Sequence, residues 1–167
     1  VVDGSDAVIT VKNKAKIETA HDIALVTKVK HWGGIFALAA AVNAVNLKIG
    51  TAEVTVENGA ELLACNRDAD EHGKVTNETT GTVYADARVS TLLGYMMINQ
   101  ETVEAQQSKA GLPVGLNFVI NDASVNIDAG AKITSTEDIL LKSRDDVTVY
   151  NYADASSSFA IALTFTT

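Results

Sequence analysis

Thr51-Ala52-Glu53-Val54-Thr55-Val56-Glu57-Asn58-Gly59-Ala60-Glu61-Leu62 decides the fold, because its apolar parity runs unbroken through a turn. Ala52, Val54 and Val56 alternate with Glu53, Thr55 and Glu57, the period of a strand with one wet face. Asn58-Gly59 is ordinarily the signal of a two-residue hairpin. Here such a hairpin would set Val56 opposite Glu61 and Thr55 opposite Leu62, mixing charged and apolar side chains on one face. If the chain instead turns a corner and carries on around a cylinder, Ala52, Val54, Val56, Ala60 and Leu62 all stay inside. The stretch therefore reads as strand, corner, strand in the wall of a solenoid.

Two more stretches align with it without a gap: Asp6-Ala7-Val8-Ile9-Thr10-Val11-Lys12-Asn13-Lys14-Ala15-Lys16-Ile17 and Asp122-Ala123-Ser124-Val125-Asn126-Ile127-Asp128-Ala129-Gly130-Ala131-Lys132-Ile133. Both fail the hairpin test in the same way, since Val11 would meet Lys16 and Ile127 would meet Lys132. The first and third copies stay in step through Asp22-Ile23-Ala24-Leu25 and Asp138-Ile139-Leu140-Leu141, which is the self-similarity of a repeat architecture. Val8 is the exception on the wet parity. Gly59 and Gly130 suit a corner that needs positive φ, and Lys14, in the same place in the first copy, is expected to carry strain.

Ala7 and Ala52 are 45 residues apart, and Ala52 and Ala123 are 71 apart. These spacings predict two and three turns of about 23 residues, and roughly seven coils in all. The expected fold class is all-β, a parallel β-helix, with residues 1–167 a single segment of a larger repetitive protein. Its terminal coils need neighbours or caps, because they expose unpaired strand edges.

Ile35-Phe36-Ala37-Leu38-Ala39-Ala40-Ala41-Val42 and Phe159-Ala160-Ile161-Ala162-Leu163 are apolar on both parities, and Leu116-Asn117-Phe118-Val119-Ile120 looks like a third member of the set. Both faces of these strands are expected to be covered. Alanine makes helix a rival for the first, while Gly33-Gly34 ahead of it and Ser156-Ser157-Ser158 ahead of its counterpart favour strand. Residues 66–110 break the repeat, and residues 101–110, with Gly111 after them, have a short glycine-capped helix as one reading. An irregular insertion is where solenoids place binding surface, so 66–110 is the expected contact region; a cover over the apolar strands is the alternative.

With 47% hydrophobic and 20% charged residues the chain is expected to fold. The net charge of -8, from 21 acidic and 13 basic residues, opposes nucleic acid and anionic lipid as partners. Its longest apolar run, residues 35–42, is far short of the roughly 20 residues that span a bilayer. Cys65 is the only cysteine, so neither an internal disulfide nor a cysteine metal set is available, and it is expected to be a buried small apolar residue. The start at Val1, without Met or a signal sequence, suggests an excised fragment or a mature segment.

Reactive chemistry has few candidates. Asn66-Arg67-Asp68-Ala69-Asp70-Glu71 is like the start of a calcium loop, but Glu71 stands where the sharp turn wants glycine and Asn77 where the bidentate glutamate belongs. Asp68 with Asp70, or Asp145 with Asp146, offers a carboxylate pair for sugar cleavage, yet adjacent strand residues point to opposite faces. His21, His31 and His72 are scattered and read as surface histidines, and Ser156 to Ser158 lack a nucleophile setting. Trp32 reads as a partly buried corner anchor, with an exposed sugar-stacking ring as the alternative. No residue is assigned a catalytic, cofactor-binding or metal-binding role, and no binding residue is singled out.

At Gly33-Gly34-Ile35-Phe36-Ala37-Leu38-Ala39-Ala40-Ala41-Val42-Asn43-Ala44-Val45-Asn46, followed by Ala52 to Ala60, the chain resembles the leukotoxin-type filamentous adhesins of bacteria and related autotransporter passengers. Gly115-Leu116-Asn117-Phe118-Val119-Ile120 leading into Ala123 to Ile133 looks like a second pass through the same scheme. The resemblance implies a right-handed β-helix, export to the cell surface or medium, no catalytic residue and no cofactor. It further implies contact with a surface protein or glycan of a host or neighbouring cell, and with flanking coils of the parent chain. The alternatives are a carbohydrate-active β-helix enzyme, either polysaccharide lyase or hydrolase, and a stand-alone glycan- or protein-binding module.

Overall fold

The computed structural model describes residues 2–37, 44–65, 67–98, 114–154 and 161–166. Every regular element among them is a strand: β1 (Val2–Val11), β2 (Lys16–Thr19), β3 (Ile23–Ala37), β4 (Ala44–Val56), β5 (Glu61–Ala64), β6 (Arg67–Ala69), β7 (Val75–Glu78), β8 (Val83–Ile98), β9 (Val114–Ile127), β10 (Lys132–Ser135), β11 (Ile139–Asp154) and β12 (Ile161–Thr166). All but β6 and β7 lie in three parallel sheets: sheet A in the order β1-β4-β9-β12, sheet B in the order β2-β5-β10 and sheet C in the order β3-β8-β11. The chain visits A, B and C in turn and then returns to A, the strand arrangement of a parallel β-solenoid.

Register places like on like. Ala7, Ala52 and Ala123 are ladder partners, as are Ile9, Val54 and Val125 in sheet A, and Ile17, Leu62 and Ile133 in sheet B. The alternation that marks these stretches in the sequence thus becomes three stacked rows of inward apolar side chains. No hairpin closes at Asn58-Gly59, because β4 and β5 lie in different sheets.

The repeat length differs from expectation. The 45-residue interval separates adjacent strands, as Lys48 and Asp3 show across β4 and β1, and it passes once through all three sheets. A turn of about 23 residues, and with it roughly seven coils, has no counterpart among the described strands. The reason is sheet C, whose strands run to 16 residues and are alike only at the start of β3 and β11, at Ile23 to Leu25 and Ile139 to Leu141. The longer second interval grows in two steps, from 45 at Lys12 and Glu57 to 60 at Asp22 and Thr82 and 71 at Asn46 and Asn117. The first step is the antiparallel hairpin β6–β7, and the second lies between Met97 and Gly115.

Within residues 66–110, where the repeat is lost, β8 is nevertheless a full member of sheet C between β3 and β11. The helix expected at 101–110 lies outside the described residues, as do 38–42 of the first doubly apolar stretch and 159–160 of the second.

One apolar cluster fills the space between the three sheets, from Val11, Ala52, Val54 and Val56 through Ala60 and Leu62 to Ile23, Leu25, Val83 and Val89. Its middle pass is the driest, because each side chain there has a ladder neighbour on both sides. Each fully buried side chain of Val or Leu size contributes about 1.5–3 kcal/mol.

The corners between sheets A and B are four-residue turns closed by Ala15 N to Lys12 O, Ala60 N to Glu57 O and Ala131 N to Asp128 O, at 2.9–3.0 Å. The third residue of each turn is left-handed: φ is 63° at Lys14, 76° at Gly59 and 89° at Gly130. Lys14 thus bears the steric cost of about 1–2 kcal/mol that glycine avoids. Lys14→Gly is expected to stabilise the chain by about 0.5–1 kcal/mol net of glycine's extra unfolded-state entropy, read as a rise in Tm. A fall in Tm would contradict the strain.

Candidate contact faces

The interior changes character along sheets A and C, towards the end where β3 finishes and β4 begins. The inward positions there are mostly polar: Asn46 and Lys48 on β4, Asn117 and Asn121 on β9, Thr27 and His31 on β3, Thr91 on β8. Most of them bond one another within sheet A or between sheets A and C, while Thr27 Oγ1 and His31 Nε2 are buried without a hydrogen-bond partner among the described residues. Asn46 Nδ2 donates to Asn117 Oδ1 at 2.9 Å, and Asn121 Nδ2 donates to Asp145 Oδ1 at 2.7 Å and to Thr91 Oγ1 at 3.2 Å. Lys48 Nζ donates to Asp3 Oδ2 at 2.7 Å, and His31 Nδ1 lies 3.3 Å from the same oxygen. The hydrogen bond from Lys48, assisted by His31, holds the Asp3 carboxyl below the usual carboxylate range against the opposing effect of desolvation.

His31 therefore departs from the surface position expected of it. It is 4% exposed, because the odd-numbered parity of β3 that buries Ile23, Leu25 and Val29 continues through it. The two sheets are close here. A Cβ on Gly50 would come within 2.7 Å of Val89 Cγ1 and 3.1 Å of His31 Nε2, so glycine at 50 is a requirement of space.

Where the inside turns polar, the outside turns apolar. On sheet A, Val2, Val45, Ile49 and Ile120 are exposed, and since Leu116 and Phe118 are half-buried the outer face of 116–120 is covered only in part, where the sequence predicts full cover. On sheet C, Trp32, Leu92, Met96 and Tyr150 are exposed. Trp32 corrects the corner-anchor expectation: it lies inside β3 with Leu92 as ladder partner, its parity is outward, and it is 82% exposed. Gly34, Gly94 and Tyr150 form the next outward row, a notch between Leu92 and Met96 with bare backbone as its floor. A Cβ on Gly94 would meet nothing within 4 Å, whereas one on Gly34 would meet the Gly94 carbonyl oxygen at 2.7 Å.

The two outer faces differ in charge. Beside Trp32, sheet C carries Lys30, Ser90 and Asp146 in one row and Lys28, Arg88 and Arg144 in the next. Asp146 accepts from Arg88 Nη2 at 2.7 Å and from Arg144 Nε at 2.9 Å, which holds its carboxyl below the usual range. Lys28 and Lys30 have no ion-pair partner among the described residues. Sheet A at the matching place carries Asp6, Thr51 and Asp122 in one row, then Val8, Glu53 and Ser124. A chain of net charge -8 thus has one locally basic face.

The remaining candidates fall into structural roles. Asp70 belongs to the turn of the β6–β7 hairpin, where its Oδ1 accepts from the backbone of His72 at 3.0 Å and Lys74 at 2.8 Å. Among the described residues no three His, Cys, Asp or Glu are grouped as a metal-ligand set. Asp145 and Asp146 diverge, one bonded to Asn121 and the other to the two arginines. Cys65 is buried with a free thiol, and His21 and His72 are exposed. Ser156 to Ser158 lie outside the described residues.

Compared with known proteins, the chain matches no family model, no curated protein and no solved structure. The functional reading rests on the ladder and its outer faces. Sequence reasoning missed those faces because β3, β8 and β11 share no motif over the residues that carry them; only their register brings Trp32, Leu92, Lys28, Arg88 and Arg144 together. The usable signal was alternation in Val83, Ala85, Ala87, Val89, Thr91 and Leu93, which predicts an outward set on the other parity.

Proposed function

We propose that this chain is a stretch of right-handed parallel β-helix from a secreted or surface-exposed bacterial adhesin, a shaft that supports or mediates attachment rather than an enzyme. The observation that carries the reading is like-on-like stacking in sheets A and B of a chain that passes through three parallel sheets in turn, the construction of an extendable rod. The last pass agrees with it. Ile139 and Leu141 are 47% and 46% exposed, while their ladder partners Val83 and Ala85 are at 0% and 1%, an unfilled core edge that a flanking coil of the parent would cover. The partner is a protein or glycan on a host or neighbouring cell.

The test is surface display. Antibody raised against the purified chain should label intact source cells, and the chain added in excess should compete with those cells for attachment. Labelling seen only after lysis would overturn the proposal. The exposure of Trp32 favours a second reading, a stand-alone glycan- or protein-binding module. On a glycan array that reading requires binding by the parent chain and its loss in Trp32→Ala.

A further inference from the structure

Two exposed apolar faces on opposite sheets, one with an acidic border and one with a basic border, lie at the same end of the cross-section. From this we infer that copies of the chain associate side by side, the sheet A face of one copy packed on the sheet C face of the next. The inference goes beyond the adhesin reading and does not depend on it.

The complementarity follows from register and strand direction. On sheet A the outward sequence away from the β3/β4 end is Val45, then Ile49 with Ile120, then Asp6 with Asp122, then Glu53. On sheet C, taken in the same direction, it is Met96, then Trp32 with Leu92, then Lys30 with Asp146, then Lys28 with Arg88 and Arg144. β3 runs towards this end and β4 runs away from it. A second copy displaced perpendicular to the sheets, without rotation, therefore sets apolar on apolar, Asp6 beside Lys30 and Glu53 beside Lys28, Arg88 and Arg144, while Asp122 comes nearest Asp146, whose carboxylate is already bonded to both arginines. A two-fold pairing about an axis along the strands would, for A on A, oppose Asp6 to Asp122 and Glu53 to itself, and, for C on C, oppose Lys28 to Arg144 and Arg88 to itself. Like charges across an interface select against both.

An interface between two different faces leaves one of each unused on every pair, so association has no closed end. Three strands about 4.8 Å apart and roughly ten residues at about 3.3 Å each cover roughly 500 Å². That is less than the roughly 800 Å² per partner of a stable complex, so the association is weak in a chain of this length. It strengthens as the number of coils in register increases.

Sedimentation velocity from about 10 µM to about 1 mM reads the outcome. The weight-average sedimentation coefficient of the parent chain is expected to rise throughout the range without a plateau at dimer. Lys28→Glu with Lys30→Glu should weaken association at least tenfold, Asp6→Lys should weaken it severalfold, and an equimolar mixture of the two variants should restore it. Trp32→Ala should weaken it severalfold. Lys14→Glu with Lys74→Glu, which gives the same net charge as the first variant at sites off both faces, should leave it within twofold. All these positions are exposed, and unchanged strand circular dichroism verifies folding. A chain that stays monomeric across the range overturns the inference. So does a plateau at dimer, or a mixture that associates no better than its components.

Discussion

Val54→Lys is expected to unfold the chain, while Val8→Lys, the same substitution in the same sheet, leaves it folded. Val54 is 0% exposed between its ladder partners Ile9 and Val125, and no carboxylate lies on that parity of β4 to receive an ammonium. An unpaired buried charge costs about 4 kcal/mol or more, a large share of the 5–15 kcal/mol that holds a typical domain. Val8 is 54% exposed and faces Glu53 across the ladder, so an ammonium there is solvated and opposite a carboxylate. Its effect should stay within about 0.5 kcal/mol. Urea denaturation followed by circular dichroism separates the two, and equal losses of stability would refute the assignment of inside and outside in sheet A.

The second large effect is at a glycine. Gly50→Val should destabilise by about 3 kcal/mol, the range for forcing extra atoms into a packed interior. Its Cβ alone would already press on Val89 and His31, and sheets A and C would have to part across the layer that holds Lys48, Asp3 and His31. Gly94→Val is the matched control. Nothing lies within 4 Å of a Cβ there, and a β-branched residue suits an exposed strand position better than glycine does. It should be neutral or stabilising by less than about 1 kcal/mol, while filling the notch between Leu92 and Met96. Thermal denaturation of the two variants tests the thinness of the interior at this point; a Gly50→Val chain as stable as the parent would disprove it.

These pairs of substitutions also mark how far the chain could be read before it was folded. The three stretches beginning at Ala7, Ala52 and Ala123 contained their own answer. Parity across the corner ruled out a hairpin, glycine at 59 and 130 announced a left-handed corner, and Lys14 stood out as the strained exception. All of that is local physics, in which side-chain direction alternates with residue number and φ is limited by the side chain a residue carries.

Coil length, the position of Trp32 and the burial of His31 were not local. A sequence shows that two strands are alike but not whether they are neighbours, so 45 residues was read as two turns when it is one pass through three sheets. Nor does it show when an interior stops being apolar. By sequence alone Trp32 therefore reads as a partly buried anchor and His31 as a surface residue. At this end of the cross-section the sheets enclose Asn46, Lys48, His31 and Asn117 and turn Trp32, Leu92, Val45 and Ile120 outward.

What residue order determined by itself was the strand period, the corner and the likeness of the three segments, because each depends on a residue and its near neighbours. What only the tertiary structure decided was which rows face each other and which face water. Lys48 can lie inside because β1 brings Asp3 to it across 45 residues, and Lys28, Arg88 and Arg144 form a row only through the pairing of three distant strands. Contacts of that kind depend on chain closure over long separations, which no local pattern encodes.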